Sequence, residues 1–353
     1  MNSREMFFGL LDGQITNIVP AAPHWWGLYK FQLAGIASGY KDEAECLSLG
    51  GSRLAEIDSL FYETYKPDWF HLGCGAYSIE KNRKAEIETL KHNVRKLSSR
   101  ADIDEYVRLA YLTSEEIEAS GMYEHVRILS QKYGKEVFIA LNEGNPICGI
   151  LDPHGTIGFE EGLIGLMEKP EMMEYLIFRE YEAMLEKIKV LKKYGCHAYI
   201  GSETYCTPDI ISPVTYRKLI FPAQKYFYEN VRNLGLVPIT YFLGDILPLV
   251  EDIGQLGADA LMIEESKKTF VLDIVEIRKK LSSDVVLFGN LDSVYTLLNG
   301  TVEDVKNETL KQLEAAKYGR FIMANGCPIA FDTPEENIQA MIKTAHEFKE
   351  EIK

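Results

Sequence analysis

The run Val285-Val286-Leu287-Phe288-Gly289-Asn290-Leu291-Asp292 decides the fold. Four consecutive apolar residues, two of them β-branched, stop at a glycine and give way to Asn290 and Asp292. A strand without polar alternation is buried on both faces, as in a parallel sheet covered by helices rather than an open antiparallel one. Its polar end marks where the chain leaves the sheet. Outward from it the pattern recurs: strands are predicted near 137–141, 197–201, 237–241, 260–263 and 321–324, with helical stretches between most of them. Two more, 18–26 and 68–72, bring the number to eight. Eight strand–helix units predict an α/β fold of the TIM-barrel type, (β/α)8.

Helix signals agree with this order. Ser212-Pro213 opens a stretch that runs to Asn233, with Gly235 as its stop. Thr333-Pro334-Glu335-Glu336 opens the last helix, with Thr333 as N-cap and Glu336 as its capping-box partner. The charged region 81–133 reads as a helical insertion with a solvated face, packed over the outside or mouth of one domain that spans 1–353. Residues 142–156, with Gly144, Pro146, Gly149, Pro153 and Gly155, read as an irregular loop on the catalytic face.

The 353 residues are 46% hydrophobic and 26% charged, enough apolar material for a large core. A net charge of −15, from 53 acidic against 38 basic residues, argues against a nucleic-acid partner. The opening MNSREMFFGLLDG is too short and too polar for a signal peptide or a membrane span, so a cytoplasmic protein away from the membrane is expected. Cys46, Cys74, Cys148, Cys196, Cys206 and Cys327 show no C-x-x-C spacing, and no disulfide framework is expected. A homodimer is the default expectation for the assembly.

In such a barrel, chemistry belongs to residues just past the strands' C-terminal ends. That rule selects His24, Trp25 and Trp26, then Glu203, then Tyr241 and Asp245, then Glu265, then Asn290 and Asp292, and last Cys327. Carboxylates gathered at a water-poor mouth bind a cation or carry protons. Against this, Asp245 and Asp292 sit where helix caps belong, and His24 is as readily a satisfied structural histidine. Trp25, Trp26 and Tyr29 suit an apolar wall.

These residues and their order carry a resemblance. Gly289-Asn290-Leu291-Asp292, Gly326-Cys327-Pro328-Ile329 followed by Asp332 to Ile338, Ile211-Ser212-Pro213 and Phe221-Pro222 resemble the superfamily of uroporphyrinogen decarboxylases and corrinoid-dependent methyltransferases. The methyltransferase branch is the nearer. Decarboxylases of this superfamily carry an Arg-Gln-Ala-Gly-Arg-Tyr segment that meets substrate carboxylates, and here Lys30 to Ile36 has neither arginine. Thiol-activating methyltransferases hold zinc through His-x-Cys after the fifth strand and a Cys after the eighth. Cys327 matches the last of these, but the fifth-strand position reads Tyr241-Phe242-Leu243-Gly244.

The resemblance therefore implies methyl transfer between a small O-methyl or N-methyl substrate and the cobalt of a corrinoid-binding partner protein that supplies methylcobalamin. Glu203, Tyr241 and Asp245 are the expected catalytic groups. His24, Trp25, Trp26, Asn290 and Asp292 are expected at the substrate. An oxygen-rich zinc site drawn from Cys327, Glu203 and Glu265 would polarise a methoxy oxygen. Porphyrinogen decarboxylation is the second reading, and a non-catalytic binding scaffold the third.

Overall fold

The computed structural model of the chain describes residues 1–14, 18–75 and 79–348. Seven strands form one sheet: β1 (Trp69–Gly73), β2 (Phe138–Gly144), β3 (Ala198–Glu203), β4 (Val237–Phe242), β5 (Ala260–Ile263), β6 (Val286–Phe288) and β7 (Phe321–Ile322). They pair in chain order and all are parallel. The sheet is strongly curled, since the Trp69 ring on β1 lies 5.3 Å from that of Phe288 on β6.

The strand expected at 18–26 is not formed. Pro20-Ala21-Ala22-Pro23 contains two residues with no backbone N–H, which cannot donate to a ladder. A single parallel bridge, Ala21 to Met323, remains. Met323 donates to the Pro20 carbonyl at 2.9 Å and Ala22 to the Met323 carbonyl at 2.8 Å, while the Asp68 amide donates to the Ala21 carbonyl at 2.9 Å. The segment thus touches the β7 side and the β1 side. The described residues form a seven-stranded α/β sheet with this bridged segment, consistent with a TIM barrel but not a closed eight-stranded one.

Alternate strand residues go to different layers. Trp69, Phe138, Ala140, Ala198, Ile200, Ile239, Tyr241, Met262, Val286 and Phe288 form an inner cluster, and their sequence neighbours pack outward against helices. Both faces are buried, which is why the strands read as unbroken apolar runs. The helix Ser3–Leu11, held by an Asn2–Glu5 capping box, adds Phe7 and Leu10 to the inner cluster. Phe7 stacks 4.6 Å from Phe138 and 6.2 Å from Trp69, near the start of two strands. Burying such a ring contributes roughly 1.5–3 kcal/mol. With that end filled, the C-terminal rim is left for a site.

Other expectations shift in detail. Between β1 and β2 the insertion resolves into helices Lys81–Val94, Arg100–Ala110, Ser114–Ser120 and Glu124–Tyr133. Where an irregular loop was expected after 142, β2 continues to Gly144 and Asn145 caps a short helix, Pro146–Leu151. The stretch opened by Ser212-Pro213 is helical to Asn233 but passes through a π turn, Tyr216–Ile220, before Pro222. Pro222 lacks the N–H that α-helical bonding needs, and the wider turn accommodates it. Thr333 is not an N-cap: its hydroxyl donates to the Ala330 carbonyl at 2.8 Å and the last helix, Glu335–Glu347, starts after Pro334.

Asp68 ties the seam together. Its carboxylate accepts from the Ser3 hydroxyl at 2.8 Å and the Ala21 amide at 2.8 Å, and lies 2.7 Å from His346 Nε2 on the last helix. The Asp68 bond raises the His346 pKa above its ordinary value, against the opposing effect of burial. Stability from that pair is therefore complete below about pH 6.5 and fades as pH rises through the raised value. Asp68→Ala is expected to cost about 2–3 kcal/mol in urea unfolding near pH 6. The part of the wild-type loss of stability above neutral pH that comes from this pair should be absent from the variant, whose urea midpoints should fall less steeply there.

Candidate active site

A cavity of about 330 Å³ opens where β1 to β4 end, with Gly73, Asn142, Ser202 and Tyr241 in its wall. Trp26, Phe31, Leu54, Leu243 and Pro328 make much of the lining apolar. Its polar groups are largely spoken for. Lys30 Nζ is 2.5 Å from Asp58 Oδ1, both side chains being almost fully buried. Glu143 pairs with Lys187 and accepts from the Tyr123 hydroxyl at 2.5 Å.

Cys327 closes one side of this cavity, and the carboxylates after β5 meet it. Its sulfur is 3.9 Å from Glu264 Oε2 and 3.6 Å from Lys267 Nζ. Lys267 Nζ is also 2.6 Å from Glu265 Oε1 and 3.6 Å from Glu264 Oε2. Burial, reinforced by the Glu265 charge, pushes the Cys327 thiol up to about 12, so it is neutral at physiological pH. Burial works against the charge on Lys267, but the Glu265 bond and the charges around it prevail and its pKa lies above the ordinary value. Gly326 is required here: a Cβ on it would lie 2.6 Å from Glu265 Oε2 and 2.7 Å from the Glu264 carbonyl carbon.

His24 supports this corner without lying exposed to it. Its Nδ1 is 3.2 Å from the Gly326 carbonyl, and its Nε2 accepts from the Trp26 indole at 2.7 Å. Those two bonds assign the neutral tautomer with the proton on Nδ1. Burial lowers its pKa to about 3, and it stays neutral at physiological pH. The Tyr241 hydroxyl donates to the same Gly326 carbonyl at 2.8 Å. Trp26 thus owes its orientation to His24.

The expected site residues do not come together in one place. Trp26, Tyr241 and Cys327 line the cavity. Glu265, Asn290 and Asp292 line a neighbouring hollow of about 350 Å³. There Asn290 donates to the Glu264 and Leu272 carbonyls, and Asp292 caps the helical turn Ser293–Leu298 through the amides of Val294 and Tyr295. Asp245 accepts from the Leu247 amide at 3.0 Å and acts as a turn former. Trp25 is fully buried against Phe61, centroids 4.0 Å apart, and belongs to the outer core. Tyr29 bonds Tyr65 at 2.7 Å beside it.

Glu203 lies apart from all of these. Being one residue beyond inward-facing Ser202, it points into the layer between sheet and helices. There it accepts from Tyr228 at 2.5 Å and Gln224 at 2.5 Å, from Asn145, and from Tyr181 at 3.4 Å. Cys327 instead meets Lys267 and Glu264, and among the described residues the set Cys327, Glu203 and Glu265 does not assemble.

Zinc does not fit the donors that do assemble. Among the described residues no group of three or more His, Cys, Asp and Glu side chains is placed to hold a metal. Tyr241 and Leu243, at the positions where the resemblance would put His and Cys, share the cavity wall with Cys327. A phenol and an isobutyl group are no substitute for imidazole and thiolate. The ammonium of Lys267 stands by the remaining sulfur.

Sequence reasoning left out Lys267 and the Lys30–Asp58 pair. Lys267 had a signal, since it follows Glu264 by three residues in the loop after a strand. Lys30 and Asp58 had none, because their partnership spans 28 residues.

The uroporphyrinogen decarboxylase (URO-D) family model matches residues 52–348, and the chain belongs to that family. Among curated relatives, methylcobamide:CoM methyltransferase MtaA of Methanosarcina barkeri is 26% identical over 225 residues, covering 64% of this chain and 62% of its own. Uroporphyrinogen decarboxylase of Trichodesmium erythraeum is 28% identical over 184 residues, covering 51% and 48%. The match therefore spans less than two thirds of either relative's length. A solved methyltransferase from Methanosarcina mazei shares the fold, with a TM-score of 0.73 over 98% of both chains at 17% identity. Among the described residues no helix is long and apolar enough to cross a membrane.

Proposed function

We propose that this chain moves a methyl group between a small methylated molecule, bound in the cavity beside Tyr241 and Cys327, and the cobalt of a corrinoid carried by a partner protein. The reading takes the seven strands and residues 20–22 as one (β/α)8 ring whose mouth is that cavity. The observation that carries it is the cavity itself: small, walled by Trp26, and lined by one cation, Lys30, that is already bonded to Asp58. Its volume, about 330 Å³, is at the low end of the roughly 300–1,000 Å³ usual for ligand sites. An uncharged methyl ether or a methylated amine suits it, the latter with its cation on the Trp26 face. A polycarboxylated porphyrinogen suits it poorly, since that ligand needs more room and free cations. The names of relatives such as MtaA support the methylcobamide side.

In the demethylating direction the bond from the methyl carbon to the oxygen or nitrogen breaks. Its electron pair stays on the heteroatom, which takes up a proton from water, and the methyl carbon is captured by cobalt. Tyr241 is the cavity hydroxyl beside Cys327 and is assigned to steady the departing heteroatom by redirecting to it the O–H that otherwise donates to the Gly326 carbonyl. Asp245, held in its turn, is left without that part.

The test mixes the protein with cob(I)alamin and a panel of methyl ethers, methylamines and methyl thioethers and follows the cobalt absorption. Conversion with an uncharged donor supports the reading; no conversion with any donor, beside decarboxylation of a porphyrinogen, would sink it. Tyr241→Phe should lower kcat about a hundredfold with little change in KM, the size usual for one lost proton-carrying or hydrogen-bonding group.

A further inference from the structure

We propose that the ammonium of Lys267 occupies the cation position beside Cys327, so that this chain takes no zinc there and Lys267 is the residue that excludes it. The inference rests on the cavity being the reaction site only for its relevance to chemistry; metal binding itself is measured without turnover.

A lysine ammonium has three N–H donors, and three acceptors surround this one. They are Glu265 Oε1 at 2.6 Å, Glu264 Oε2 at 3.6 Å and Cys327 Sγ at 3.6 Å. They are two carboxylates from the end of β5 and one thiol from beyond β7, donor types that a divalent cation also recruits, and the ammonium takes them first. Metal–ligand bonds of roughly 2.0–2.3 Å to those atoms would put the ion into the space that Nζ fills. One positive charge is already delivered there by the chain.

The placement of that charge is built into the backbone. Lys267 and Phe270 exchange two main-chain hydrogen bonds, 3.0 and 3.4 Å, which make a tight turn just after β5. Glu264 is fixed in turn by the Gly244 amide at the end of β4. Across the cavity, Tyr241 and Leu243 offer neither imidazole nor thiolate. The lysine and the two lost ligands are independent observations, and both remove a reason for zinc to bind.

Removing the ammonium reverses the electrostatics. Lys267→Met keeps most of the aliphatic stem but leaves two carboxylates and a thiol that no positive charge compensates, the composition of an oxygen-rich cation site. Purified wild type and Lys267→Met would be dialysed against chelator, titrated with zinc chloride against a chromogenic zinc indicator, and assayed for bound metal. Wild type should hold no stoichiometric zinc, and Lys267→Met should bind zinc at least tenfold more tightly than wild type, a gain lost when Cys327→Ser is added. Lys267→Gln serves if the methionine variant does not fold, and Lys267→Arg should stay zinc-free.

Stoichiometric zinc in wild type that is lost in Cys327→Ser would overturn the proposal. So would a zinc affinity of Lys267→Met and Lys267→Gln no higher than that of wild type, because the lysine would then not be what keeps the metal out. A silent cobalt assay combined with the expected zinc contrast would remove the proposed function and leave this inference standing.

Discussion

Asp58→Ala is expected to destabilise the protein by about 3–5 kcal/mol, whereas Asp58→Leu combined with Lys30→Met should cost far less. Asp58 is completely buried and Lys30 nearly so, and their bond at 2.5 Å joins the segment around Lys30 to the helix Gly51–Tyr65. The Lys30 ammonium also lies 5.8 Å from the Trp25 ring and 5.4 Å from that of Phe31, so its surroundings are otherwise aromatic. Truncating one partner strands a charge in that setting; replacing both removes the need for either. Urea unfolding of the two single variants and the double one measures the difference. A single Asp58→Ala loss under about 1 kcal/mol would mean that water reaches the pair.

Glu203→Ala is expected to cost about 3 kcal/mol or more, because Tyr228, Gln224, Asn145 and Tyr181 would all lose their acceptor in a dry layer. Glu203→Gln, which keeps an oxygen there, should cost less. The pH dependence separates these roles. Burial raises the Glu203 pKa from 4.5 to about 7, although its four hydrogen-bond donors pull the other way. A raised folded value means that the protonated form belongs to the fold. Stability is thus complete below the unfolded pKa of about 4.3 and is lost as pH climbs through 7. Glu180, bonded to Tyr111 and Thr156, is raised by burial to about 7 as well. Urea midpoints between about pH 4.5 and 8 should fall in wild type, fall less steeply in Glu203→Gln, and least steeply when Glu180→Gln is added, the His346–Asp68 pair accounting for the remaining fall.

The strands were legible because burial on both faces leaves an unmistakable apolar run, as at Val286 to Phe288. The exception at Pro20-Ala21-Ala22-Pro23 is equally physical. Apolar content marked the segment as interior, while its two prolines denied it the ladder; the hydrogen-bonding capacity should have been weighed before hydropathy. Thr333 misled for another reason: a threonine three residues before a glutamate satisfies the capping pattern, but Pro334 delays the helix and the hydroxyl turns back to Ala330.

The site was legible one residue at a time and not as a constellation. Cys327, Tyr241 and Trp26 follow from the rule that chemistry gathers at strand ends, and they share one cavity. Glu203 obeys the same rule by position but not by parity: one step along a strand turns a side chain from the mouth to the helix layer. Whether an acidic side chain finds a lysine, an amide or open cavity depends on partners that sequence distance hides, as between Lys30 and Asp58 or between Cys327 and Lys267.

The bridged segment at Pro20 to Ala22 has a dynamic consequence. Every other neighbouring pair of strands is joined by a ladder, whereas this junction relies on the Met323 exchange, one Asp68 amide bond and the Asp68 carboxylate. Hydrogen–deuterium exchange should therefore be fastest, among the sheet amides, at Ala22 and Met323, and these should deuterate together.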